Sequence, residues 1–131
     1  RNRVLTGTFK KLIIKKSKNI LLKDCKIEEL IVFDSDVHII NSRIESKDLA
    51  IKVEYSNLLI TTSVIKAEKP IVSQSSRLDI AGSTLIGEDS VIFNMNKSNN
   101  NCIKNKGSLN NFLKNELNLP FFISLKKVIV F

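Results

Sequence analysis

Four segments of this chain superpose column by column, and that repeat restricts the fold more than any other feature of the sequence. They are Ile20-Leu-Leu-Lys-Asp-Cys-Lys-Ile27, Val37-His-Ile-Ile-Asn-Ser-Arg-Ile44, Leu58-Leu-Ile-Thr-Thr-Ser-Val-Ile65 and Leu78-Asp-Ile-Ala-Gly-Ser-Thr-Leu85, offset by 17, 21 and 20 residues. Two apolar columns come first: Ile20, Val37, Leu58, Leu78, then Leu22, Ile39, Ile60, Ile80. A polar column follows, Asp24, Asn41, Thr62, Gly82, and then a small one, Cys25, Ser42, Ser63, Ser83. Ile27, Ile44, Ile65 and Leu85 form the next apolar column. After a loop of variable length, Ile31, Ile51, Ile71 and Val91 read as a further apolar column. Phe33, Val53, Ser73 and Phe93 continue it two residues later.

Apolar residues two apart mark a strand with alternate side chains facing one way. The next apolar column stands three residues on, so the chain bends between them. Asp, Asn and Gly at the bend tolerate a left-handed backbone. The small residue after it suits an inside corner. Each repeat therefore predicts three short strands, for example near 20–22, 25–27 and 31–33. Stacked repeats then pair strand on strand, and each apolar face is buried by the coil beside it. A β-sandwich explains the strands but not the constant character of the columns. The expected fold is all-β: a parallel β-helix of about five coils of 17–21 residues, over about residues 4–107 of a single domain spanning 1–131.

The pattern reaches backwards, with Leu5, Thr8, Leu12 and Ile14 standing 17 residues before Leu22, Cys25, Glu29 and Ile31. Forwards it fades into a polar run, residues 94–101, with one partial coil at Ile103 and Asn105. Residues 108–131 read as a cap. Ser108 starts a short helix with Leu109, Phe112, Leu113 and Leu117 on one face, Pro120 ends it, and an apolar strand follows from Phe121 to Phe131. The alternative for that strand is docking onto another chain.

The formal net charge of +8 is unevenly placed. Residues 1–26 hold nine basic residues and one acid, Asp24, while the remainder balances. Lys10, Lys11, Lys15, Lys16 and Lys18 are therefore the candidate polyanion-binding residues, with an acidic polysaccharide as the expected class of partner. A solvated, self-repelling end is the simpler reading of the same lysines. The basic stretch has one aromatic, Phe9, so sequence-specific nucleic-acid binding is not expected. Cys25 and Cys102 lie several coils apart in this fold, too far for a bridge, and are expected as free thiols. No apolar run reaches the ~18 residues of a membrane span. The chain begins at Arg1 without a leader pattern, which suits a processed product or an excised piece. An extracellular or cell-surface location is expected if it belongs to a larger secreted protein.

Apolar ladders with a polar bend and a small residue after it resemble the right-handed parallel β-helix, or pectate-lyase-like, superfamily. The column Asp24, Asn41, Thr62, Gly82 looks like the asparagine-type ladder of that fold's tightest turn. The resemblance implies either a polysaccharide lyase or hydrolase, or a non-catalytic surface, adhesin or tailspike module. The bactofilins are also short solenoids but are richer in Gly, and this chain has four.

The chemistry of the enzymes is not visible in the residues. A glycoside hydrolase needs two carboxylates about 5–9.5 Å apart. Asp34, Asp36, Glu54 and Asp79 are the candidates, and none forms an outward pair in adjacent coils. A Ca²⁺ site wants six to eight oxygen ligands, and no three acids share a face. His38 lacks a partner in register, and Asn96-Lys-Ser98 is a chance-prone glycosylation triplet. No catalytic residue, cofactor or metal site is therefore assigned, and an enzyme is the less favoured reading. The expectation is a structural or ligand-binding module, with a minimal polysaccharide-acting enzyme and a solenoid self-associating through its coil ends as alternatives.

Overall fold

The computed structural model describes residues 3–88, 92–95, 99–103, 106–108 and 124–130, with side chains for 3–88 and Ile92. It is an all-β parallel solenoid of about 4 turns. Beyond Glu88 short strands are described by their backbone pairing.

Three faces run along the tube. The first comprises the opening stretches of β1 (Arg3–Lys15) and β2 (Ile20–Phe33), then β3 (Asp36–Ile40), β6 (Asn57–Thr61), β9 (Arg77–Ala81) and β12 (Asn99–Ile103). The second continues from the middles of β1 and β2 through β4 (Arg43–Glu45), β7 (Val64–Lys66) and β10 (Thr84–Ile86). The third takes the ends of β1 and β2, then β5 (Leu49–Glu54), β8 (Lys69–Gln74) and β11 (Ile92–Met95). All these pairings are parallel, and from β2 onward the columns stay in register: Ile20 faces Val37, Val37 faces Leu58, and Leu58 faces Leu78.

The core is the stack of inward columns. Leu22, Ile39, Ile60 and Ile80 lie on one wall, and Ile27, Ile44, Ile65 and Leu85 on the next, all buried. Full burial of such a side chain contributes roughly 1.5–3 kcal/mol, and the inner members, Ile39, Ile60, Ile44 and Ile65, lie between the coils on either side.

The third wall corrects two expected columns. Its inward members are Leu30, Ile51, Ile71 and Ile92, then Val32, Val53 and Ser73. Ile31 and Phe33 point outward instead, opposite Lys52 and Glu54. The run Leu30-Ile-Val-Phe33 is apolar at both parities, so hydrophobicity leaves its face undecided. A one-residue slip moves every side chain to the other face. The turn between the second and third walls is what varies. It carries the chain from Ile27 to Leu30, from Ile44 to Ile51 and from Ile65 to Ile71, which accounts for coils of 17, 21 and 20 residues.

In the first coil the partners of Leu30 and Val32 are Leu12 and Ile14, and Gly7 rather than Thr8 faces Cys25, after a register shift at the Leu5–Gly7 bend. Parts of the expected polar loop 94–101 are strand, because β11 and β12 continue the first and third faces. Ser108 is the last residue of a strand, β13 (Lys106–Ser108). The expected helix over Leu109, Phe112, Leu113 and Leu117 lies outside the described residues. Part of the expected final strand is present as β14 (Ser124–Val130), antiparallel to β10 and β13.

Candidate functional site

The bends set where every outward side chain stands. Asp24, Asn41, Thr62 and Gly82 have φ of 54°, 49°, 48° and 59°. The expected bend column is therefore left-handed throughout. After it, the backbone N–H of each small residue donates to the next coil's hydroxyl: Cys25 to Ser42 at 3.0 Å, Ser42 to Ser63 at 3.1 Å and Ser63 to Ser83 at 3.1 Å. Each hydroxyl donates in turn to the carbonyl two residues before it, as Ser63 does to Thr61 at 2.8 Å. At a left-handed bend the β-ladder is interrupted, and the serine oxygen takes up the buried N–H left there.

A second serine ladder repeats the device at the corner leading back to the first face. Lys16, Asp34, Tyr55 and Ser75 have φ near 50° (49°, 48°, 51° and 49°) and precede Ser17, Ser35, Ser56 and Ser76. Ser17, Ser35 and Ser56 donate from N–H to the next coil's hydroxyl at 3.0, 3.0 and 3.1 Å. The residues before these serines share no side-chain character, which hid the column in the sequence. A signal was present in the seven-residue spacing from Ser35 to Ser42, Ser56 to Ser63 and Ser76 to Ser83.

The outward carboxylates stand among amides, cations and apolar groups. Asn41 donates to Asp24, and Asn57 donates to Asp36 at 2.8 Å. Glu45 meets Arg43 and Lys66, and Glu54 meets Lys52. In register, Glu54 lies between Phe33 and Gln74. Asp79 takes the Arg77 guanidinium at 3.2 Å on one oxygen, while its other oxygen is buried without a partner. Asp34 sits at a bend. Among the described residues no three His, Cys, Asp or Glu gather as a metal-binding group.

His38 is outward on the first face, 3.0 Å from the Thr61 hydroxyl. Burial holds its pKa below the ordinary imidazole value. Cys25 is a buried free thiol. Burial raises its pKa, against the lowering effect of hydrogen bonds involving Ser42 and Gly7. Its sulfur lies in the serine column and reaches the Leu5 carbonyl at 3.3 Å. The Cys102 side chain is outside the described set.

The five candidate lysines are exposed but divided between two corners. Lys10 and Lys11 flank the turn between the second and third walls, and Lys15, Lys16 and Lys18 the turn back to the first. Lys11 stands opposite Glu29, and Lys18 is 3.7 Å from Asp36. Between these corners lies something the sequence reading overlooked: a hollow beside β1. It encloses about 600 Å³ and is lined by Leu5, Phe9, Leu12 and Ile14, with Arg3 and Lys15 on its rim.

Among the described residues no helix is long and apolar enough to cross a membrane. Comparison with family models, curated proteins and solved structures finds no match to this chain.

Proposed function

We propose that this chain is a non-catalytic structural or ligand-binding β-helix module, of the kind that surface, appendage or tailspike-like proteins use as a rod. One observation carries the reading: five of the outward carboxylates are neutralised or separated rather than paired. Asp24 and Asp36 accept from asparagines one coil on, Glu45 and Asp79 are held by arginines, and Glu54 is flanked by Phe33 and Gln74. Acid–base work on a glycosidic bond wants two carboxylates facing one cleft with separated pKa values. Contact with an acidic polysaccharide through Lys10, Lys11, Lys15, Lys16 and Lys18 belongs to the same reading, as does right-handed, pectate-lyase-like ancestry.

The test is turnover on pectate, alginate and neutral polysaccharides, with and without Ca²⁺, read by new reducing ends and by unsaturated products. No product is expected from the purified chain. Product formation that Glu54→Ala or Asp79→Ala removes would establish the minimal-enzyme reading instead.

A further inference from the structure

We propose that the outward face of the third wall, around Tyr55, is a docking site for a neutral, extended polysaccharide chain. Tyr55 is the chain's one tyrosine, and it stands at a bend with a φ of 51°. A left-handed backbone suits Gly, Asn and Asp and disfavours a bulky side chain. Burial does not compensate, because the residue is 54% exposed. Backbone strain spent on an exposed aromatic ring points to a ligand rather than to packing. Two contacts orient the ring. Phe33, on the coil before, meets it edge to face, with centroids 5.9 Å apart and planes at 85°. Gln74, on the coil after, donates from Nε2 to its Oη at 3.5 Å.

The surroundings select the occupant. In register, Phe33 and Gln74 flank Glu54, and Ile31 and Val72 flank Lys52 in the neighbouring outward column. A peptide strand finds no main-chain partner on this wall, because β5 is paired on both sides, with β2 and β8, and β8 with β5 and β11. Whatever docks here binds through side chains. A pyranose does so: its C–H face rests on the negative face of an aromatic ring, and its hydroxyls meet a few well-placed polar groups. Gln74, Glu54 and Lys52 supply an amide, a carboxylate and an ammonium. Lys52 and Glu54 pair at 3.9 Å, so these groups cancel in charge. An acidic sugar would bring its carboxylate towards Glu54 and towards Asp34, the bend residue of the preceding coil. Coils repeat about every 4.8 Å, close to the spacing of successive rings in an extended β-1,4-linked chain.

The proposal rests on the ligand-binding reading and fails separately from it, because absence of sugar binding leaves the turnover result as it was. The probe is cellohexaose, titrated into the 131-residue chain. With one Tyr and no Trp, intrinsic fluorescence reads Tyr55 alone. A saturable change is expected, with half-saturation at about 1 mM or below. Amide shifts in NMR spectra of the unaltered chain are expected to cluster at Lys52, Glu54, Tyr55, Gln74 and Ser75. By calorimetry, Tyr55→Asn is expected to weaken binding about tenfold or more without lowering the unfolding midpoint, since asparagine accepts this bend. Tyr55→Phe keeps the ring and is expected to weaken binding about threefold. Absence of binding, shifts clustered on the β1 lysines instead, or unchanged affinity in Tyr55→Asn would each overturn the proposal. So would equal affinity for oligogalacturonate or for maltohexaose, or self-association of the chain that Tyr55→Asn abolishes.

Discussion

Ser63 holds two coils together with one oxygen. It accepts the Ser42 N–H at 3.1 Å and donates to the Thr61 carbonyl at 2.8 Å, and it is 3% exposed. Ser63→Ala leaves a buried N–H without a partner, at a cost of about 1–3 kcal/mol. Ser63→Cys is expected to cost less, since Cys25 already serves in this column. Denaturant unfolding of the two variants measures the difference. One residue earlier, Thr62 is β-branched at a φ of 48°, where L-residues pay roughly 1–2 kcal/mol and asparagine is better tolerated. Thr62→Asn is therefore expected to stabilise by about 0.5–1.5 kcal/mol, read as a higher unfolding midpoint. His38 has its pKa depressed in the fold by burial. Its neutral form is the one the fold favours, so that stability is present above the unfolded value and is lost as pH falls below about 6.5. His38→Gln removes that component. Unfolding between pH 7.5 and 5 should be flatter for the variant than for the parent chain.

At the scale of elements, the first and second walls were legible because each inward column is apolar while the residues between are mixed. Ile39, Ile60 and Ile80 show it: His38, Leu59 and Asp79 alternate with them on the outside. The third wall was misread at Ile31 and Phe33 because both parities there are apolar. Pairing with Lys52 and Glu54, the outward members of β5, settles their face. The second serine ladder escaped because its bend residues, Lys16, Asp34, Tyr55 and Ser75, share a backbone conformation rather than a chemistry. The candidate lysines could be named from charge density, but their division between two corners depends on where β1 bends. Walls built this way transmit damage to their neighbours. Ile60 is fully buried between Ile39 and Ile80, so Ile60→Ala is expected to cost about 2–5 kcal/mol. A loss below about 1 kcal/mol in chemical denaturation would show that this wall is not packed as described.

At the scale of the whole molecule, the described residues form a solenoid whose middle stretch is acidic: residues 27–89 hold eleven acids against six basic residues. The shape follows from the repeat. Each coil pairs with the coil before and the coil after, so contacts recur at separations of 17, 20 or 21 residues. Isoleucine methyl-labelled protein tests this most directly, through NMR cross-relaxation between side chains. The solenoid predicts contacts linking Ile39 to Ile60, Ile60 to Ile80, and Ile44 to Ile65, each a coil apart in register. A set dominated instead by hairpin contacts, with Ile39 and Ile44 facing each other across an antiparallel pair, would contradict it.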